Sequence, residues 1–182
     1  MYSMDHQMFS VREMCHIAVF TALIAALAQV SIPLPGGVPV TMQTLGVLLA
    51  GIVLGARNGA AAALCYLLIG AMGAPVFAGF SGGLARLVGP AGGFLLSYPL
   101  MAWICGRFAG RGSRGYMAAG LLIASAVCYI MGCVMYMAVT GTGIRAVVAA
   151  CVLPFLAGDA LKMLLAAWLG TRLKHALIKA GT

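Results

Sequence analysis

Met42-Gln-Thr-Leu-Gly-Val-Leu-Leu-Ala-Gly-Ile-Val-Leu-Gly55 and Asn58-Gly-Ala-Ala-Ala-Ala-Leu-Cys-Tyr-Leu-Leu-Ile-Gly-Ala-Met72 are two apolar runs with only Ala56 and Arg57 between them. Each is short for a membrane crossing, which takes about 20 apolar residues. Joined so closely, they read as a tight helical hairpin. The chain around them follows the same pattern. Further apolar spans run from about Met14 to Ser31, Gly93 to Phe108, Tyr116 to Val139 and Phe155 to Leu173, six spans in all with the hairpin arms. The expected architecture is an all-α integral membrane protein forming one domain.

Composition supports this. Of the 182 residues, 63% are hydrophobic and 8% are charged, whereas a soluble domain has about 45–50% apolar and about 25% charged residues. Fourteen charged side chains (11 basic and 3 acidic) cannot cover a water-soluble globule of this size. A cytosolic enzyme, a secreted disulfide domain and a disordered tail are excluded. The net charge of +8 raises nucleic acid and anionic lipid as partners. The bases are scattered along an apolar chain with no aromatic-interleaved stripe, so no nucleic acid is expected. The six cysteines form no CxxC, and His6, His16 and His175 form no metal-ligand spacing, so neither a metal nor a cofactor is expected.

The breaks between spans are uneven. Ile32-Pro-Leu-Pro-Gly-Gly-Val-Pro39 cannot continue a helix. Residues 73–93 hold seven glycines and two prolines yet stay apolar. Irregular backbone of this kind survives near membrane depth only where it lines a cavity or is buried in protein. Thr140-Gly-Thr-Gly143 ends the fifth span, and residues 144–153, too short to cross, read as a lid or re-entrant piece. No small-residue cleavage site follows the first apolar run, so no removable signal peptide is expected.

Charge sets an orientation. Alternate ends of six spans collect Arg12, Arg57, Arg107, Arg111, Arg114, Arg172, Lys174 and Lys179 against Arg86 and Arg145. The excess of bases on the cytoplasmic side then places both termini in the cytoplasm. The three long glycine- and proline-rich connections face outward.

Four constellations carry the chemistry. In Pro154-Phe-Leu-Ala-Gly-Asp-Ala-Leu-Lys162, Asp159 and Lys162 stand three apart and share a helix face. A charge at mid-bilayer costs about 2.5–3.5 kcal/mol on insertion scales, so such groups face a cavity and have partners. The pair is either a mutual ion pair that holds helices together or the polar anchor for a small ligand. Thr41, Gln43 and Thr44 lie at the outer mouth of the second span, as helix caps or as ligand contacts. The glycine run at 79–94, flanked by Phe77, Phe80 and Phe94, permits either close helix approach or close approach of backbone to a flat ligand. Ala18, Ala22 and Ala26, with Ala25 beside them, form a small-residue groove on the first span, for internal packing or a partner subunit. No P-loop, no nucleophile–base arrangement and no HExxH occurs, so the chain is not read as an enzyme.

Pro39-Val-Thr-Met-Gln-Thr-Leu-Gly-Val-Leu-Leu-Ala-Gly51, Gly70-Ala-Met-Gly-Ala-Pro-Val-Phe-Ala-Gly79, Gly82-Gly-Leu-Ala-Arg-Leu-Val-Gly-Pro-Ala-Gly-Gly-Phe94 and Leu153-Pro-Phe-Leu-Ala-Gly-Asp-Ala-Leu-Lys162 resemble, in order and spacing, the motifs of the BioY family. That family comprises biotin-binding substrate (S) components of energy-coupling factor (ECF) vitamin transporters. The resemblance covers about Ala18 to Leu173. It implies a six-helix S-component fold in the cytoplasmic (inner) membrane, biotin as transported ligand, and a T component with two ATPases as partners. It implies that Ala18 and Ala22 dock on the T component. Biotin contacts are expected from Asp159 to the ureido N–H groups and from Lys162 to the carboxylate or a group near it. Thr41, Gln43, Gly79, Gly82 and Gly83 add polar contacts, and Phe77 and Phe94 pack on the ring. Phe80 and Ser81 depart from the family pattern, as does Arg86, which either attracts the ligand carboxylate at the outer rim or is simply solvated. The competing readings are an S component for another vitamin and a scaffold subunit without ligand.

Overall fold

The computed structural model describes residues 10–33 and 38–179. Residues 34–37 of the first break, and Asp5 and His6, lie outside the described residues. The chain order is α1 (Val11–Gln29), β1 (Ser31–Ile32), β2 (Val40–Thr41), α2 (Gln43–Ala71), α3 (Leu84–Val88), α4 (Gly92–Ala109), α5 (Arg114–Thr140), α6 (Ile144–Cys151) and α7 (Leu153–Lys179). The helix α1 opens on a capping box, in which Ser10 accepts from the Glu13 N–H and the Glu13 carboxylate accepts from the Ser10 N–H.

Within α2, Gly55 sits at φ 82°, ψ 179°, outside helical space. Only glycine takes this conformation readily, and here it reverses the chain. A straight helix would hold Gln43 and Tyr66 roughly 34 Å apart, yet Gln43 Nε2 donates to the Tyr66 hydroxyl. Past the turn, a Cβ on Gly59 would lie 2.8 Å from the Ala50 carbonyl oxygen. The hairpin read from the sequence is therefore present, and its arms lie in backbone contact. With these two arms, α1, α4, α5 and α7 make the six expected helical segments.

The helix α2 is the centre of the bundle, packed on α1, α4 and α7. Close approach is bought with glycine: a Cβ on Gly51 would meet the Ala102 carbonyl at 2.5 Å, and one on Gly106 would meet Ala56 N at 2.5 Å. Thr21 Oγ1 donates across the α1–α2 contact to the Ala62 carbonyl at 3.0 Å. The helices α1, α5 and α7 are each long and apolar enough to cross a membrane, and the equally apolar α2 is folded into the two shorter arms of the hairpin. They present Leu64, Leu68, Leu122, Ile130, Leu161 and Leu164 outward. A surface of this kind is covered by lipid, so the chain is an integral membrane protein.

One end of the bundle is tied by Asn58 Nδ2 donating to Glu13 Oε1 at 3.0 Å. The start of α1, the turn of α2 and the end of α4 gather there, with the predicted arginines. The opposite end carries β1 and β2, paired antiparallel with Ser31 against Thr41, then α3 and α6. These small elements qualify the all-α expectation without changing it. The 144–153 stretch forms α6, which buries Val147 and Cys151 against Val38, Tyr136 and Phe155.

Candidate functional site

A cavity opens at the end that carries β1, β2, α3 and α6. Its walls come from Thr41, Gln43, Thr44 and Leu48 on β2 and α2, and Phe94, Tyr98 and Met101 on α4. Ser125, Cys128 and Tyr129 on α5 and Asp159, Lys162 and Met163 on α7 complete the helical side. Phe77, Ala78 and Ser81 form a loop wall, and Arg86 on α3 reaches the mouth. Helical spacing explains part of the grouping: 44 and 48 share one face of α2, and 159, 162 and 163 one face of α7, while Thr41 joins them from the end of β2.

The α7 wall is charged. Lys162 Nζ donates to Asp159 Oδ1 at 2.8 Å, with Lys162 almost fully buried. Tyr129 OH donates to Asp159 Oδ2. A buried ion pair holds only when further hydrogen bonds satisfy its remaining groups, and Tyr129 supplies one. A carboxylate has about four acceptor positions and an ammonium three donors. After these internal bonds, Asp159 can still accept from a ligand N–H and Lys162 can still donate.

The α2–α4 wall is neutral. Thr41 Oγ1 donates to Gln43 Oε1 at 3.0 Å, and Tyr98 OH donates to the same oxygen at 3.2 Å. The Gln43 amide donates to Tyr66, whose hydroxyl passes a bond to the Val76 carbonyl at 3.2 Å. Each member is buried, and burial makes such partners obligatory.

The loop of residues 73–83 is built as a small antiparallel turn. Phe77 N–H donates to the Ser81 carbonyl at 2.8 Å, and the Phe77 carbonyl accepts the return bond from Ser81 N–H at 3.3 Å. Gly79 at φ 68° and Phe80 at φ 51° form its left-handed tip, a region that side chains other than glycine seldom adopt. Gln29 at the end of α1 holds the loop down. Its amide donates to Val76 O at 3.2 Å and Phe77 O at 3.3 Å, and its oxygen accepts from Phe80 N–H at 2.9 Å.

The structure thus brings Thr41, Gln43, Phe77, Arg86, Phe94, Asp159 and Lys162 to one cavity. It does not bring Gly79, Gly82 and Gly83 to the cavity surface. Gly79 shapes the turn, and a Cβ on Gly82 would strike the Ala74 carbonyl, so these glycines close the loop and leave the lining to Ala78 and Ser81. Ala18 and Ala22 lie elsewhere, in an apolar groove with Met14, Ile17, Thr21, Ala25, Cys65, Tyr66, Ile69 and Val76. Ala25, rather than Ala26, belongs to that groove. Among the described residues no three His, Cys, Asp or Glu side chains gather for a metal ion.

Sequence reasoning missed Tyr66, Tyr98, Tyr129 and Gln29. One signal was available: a tyrosine inside an apolar helix needs a partner for its hydroxyl when buried, and three mid-span tyrosines had none assigned.

The model of the BioY family matches residues 4–179. The probable biotin transporter BioY of Pyrococcus horikoshii is 37% identical over 163 residues, covering 90% of this chain and 96% of that protein. The biotin transporter BioY of Thermotoga maritima is 39% identical over 166 residues, with the same coverages of 90% and 96%. Among solved structures, the crystal structure of the S-component for biotin from an ECF-type ABC transporter superposes with a TM-score of 0.82. It is 24% identical in sequence, and the match covers 91% of this chain and 92% of that one. The fold is therefore that of an ECF S-component.

Proposed function

Because the chain belongs to the BioY family, we propose that it binds biotin in the α2–α4–α5–α7 cavity and takes it up across the cytoplasmic membrane. It acts as the S component of an ECF transporter, a transport protein and not an enzyme. The observation that carries the site is the hydrogen-bonded Asp159–Lys162–Tyr129 trio, with Lys162 buried and its partners half-buried, on the wall of an otherwise mostly apolar cavity. Biotin offers a compact fused bicycle whose planar ureido group has two N–H donors and one acceptor. Asp159 accepts the ureido N–H, and Lys162 donates to the ureido oxygen or to the carboxylate. Phe77 and Phe94 pack on the ring. Thr41 and Gln43 fix the facing wall, Gly79, Gly82 and Gly83 shape the loop over it, and Arg86 at the mouth attracts the carboxylate tail.

The whole chain works as a single six-helix substrate-binding domain. The basic end, with Arg12, Arg57, Arg107, Arg111, Arg114, Arg172, Lys174 and Lys179, faces the cytoplasm with both termini, so the cavity opens outward. The Ala18–Ala22 groove receives the transmembrane T component, and two ATPase subunits supply the energy, since no nucleotide motif occurs in this chain.

Calorimetric titration of biotin into the purified, detergent-solubilised chain tests the assignment, with Asp159→Asn alongside. One-to-one binding that the substitution abolishes is the expected result. A well-folded sample that does not bind biotin overturns the ligand, and screening against other vitamins then follows. Wild-type binding that Asp159→Asn leaves unchanged overturns the anchor alone.

A further inference from the structure

Among the described residues, the buried side-chain oxygens and nitrogens of the cavity wall have hydrogen-bond partners with one exception. Thr41, Gln43 and Tyr98 satisfy each other. Ser81 Oγ donates to the Ala78 carbonyl at 2.8 Å, Ser125 Oγ to Met163 Sδ at 3.5 Å, and Tyr129 and Lys162 to Asp159. Among the described residues, Thr44 Oγ1 is the buried side-chain oxygen that has no hydrogen-bond partner, and Thr44 lines the same cavity. A threonine inside a helix ordinarily turns its hydroxyl back to the carbonyl of the preceding turn, as Thr21 does to Ile17 at 2.8 Å and Thr171 to Ala167 at 2.9 Å. Thr44, the second residue of α2, has no helical turn behind it to bond, and its hydroxyl has no such partner.

An unsatisfied buried hydroxyl is unfavourable for the ligand-free protein and rewards any ligand that satisfies it. We propose that Thr44 is a specificity-determining contact, its hydroxyl bonding a neutral polar group of the bound ligand. This rests on the reading of the cavity as the biotin site. The other neutral donors of the wall already have an acceptor, and Asp159 and Lys162 already have each other, so each gains less from a ligand than a hydroxyl with no partner. Thr44 has no bond to give up. A polar group placed there is recognised, and an analogue with a hydrocarbon at that position leaves the hydroxyl as it was.

Thr44→Val keeps the shape and removes the hydroxyl; Thr44→Ser keeps the hydroxyl. Biotin titration of wild type and both variants, with the melting temperature of each ligand-free protein, tests the proposal. Thr44→Val is expected to weaken biotin binding about tenfold, while its ligand-free form melts at the wild-type temperature or above. Thr44→Ser is expected to bind within about threefold of wild type. A purely structural role would lower the melting temperature of Thr44→Val, and that result overturns the proposal, as does wild-type affinity in Thr44→Val. If wild-type protein does not bind biotin, it is the biotin reading that falls.

Discussion

On α7 the polar wall of the cavity is charged and local: Asp159 and Lys162 lie one turn apart, and Tyr129 completes them from α5. On α2 and α4 the facing wall is neutral and assembled from afar. Gln43 joins Thr41 beside it to Tyr66 and Tyr98, which are 23 and 55 positions away in the chain. A charged pair in a low-dielectric interior stands or falls together, because removing one member leaves the other uncompensated. A neutral network loses its members one bond at a time. The first wall should therefore respond to substitution steeply, and the second in smaller coupled steps.

The largest effect is expected on α7. Lys162→Met leaves the Asp159 charge with Tyr129 alone and should destabilise the protein by about 3–5 kcal/mol, read as the thermal midpoint in detergent. The double substitution Asp159→Leu with Lys162→Met should recover most of that midpoint while biotin binding stays lost. Should the double variant still bind at wild-type affinity, the charged wall is structural and the difference between the walls disappears.

Tyr129→Phe comes next. It removes a hydrogen bond to an ionised group, worth about 1.5–3 kcal/mol. Calorimetry should show a drop in biotin affinity of roughly tenfold, with a smaller drop in midpoint than Lys162→Met gives.

On the neutral wall, Gln43→Leu leaves Tyr66, Tyr98 and Thr41 with unmatched groups and should cost about 1–3 kcal/mol of stability. Combined with Tyr98→Phe the loss should be less than additive, with a coupling of about 0.5–3 kcal/mol. Strict additivity would show that the wall is not a network.

The smallest effect belongs to Arg86, exposed on α3 at the mouth. Arg86→Gln should slow biotin association about threefold at low salt, and the difference should vanish at high ionic strength. Stopped-flow rates at two salt concentrations decide it.

The two walls also differ in how far they could be read in advance. Asp159 and Lys162 stood out because charge is rare in an apolar span, and their spacing placed them on one face. The six helical segments followed from apolar runs and from glycine and proline breaks, and the hairpin from two runs with almost nothing between them. What the sequence did not disclose was pairing across long separations. Nothing near Gln43 points to Tyr98, and nothing near Gln29 points to the carbonyls of Val76 and Phe77. The loop glycines were misplaced for a related reason. A glycine permits close approach without saying what approaches, and at Gly82 it is the backbone of Ala74 rather than a ligand.

Tyr66 has two neighbourhoods. One side of it belongs to the apolar groove of Ala18 and Ala22, while its hydroxyl holds Gln43 in the cavity wall and the Val76 carbonyl at the root of the loop. Its ring meets that of Phe77 edge to face, with centroids 5.4 Å apart. The partition between groove and cavity is thus two side chains thick, Tyr66 on the groove side and Gln43 or Phe77 on the cavity side. A body pressing into the groove leans on the same ring that keeps the far chamber in register. Linkage is reciprocal: if a groove occupant that moves Tyr66 weakens ligand binding by some factor, the ligand weakens that occupant's binding by the same factor. The groove and the cavity thus meet at the Tyr66–Gln43 contact as a common wall.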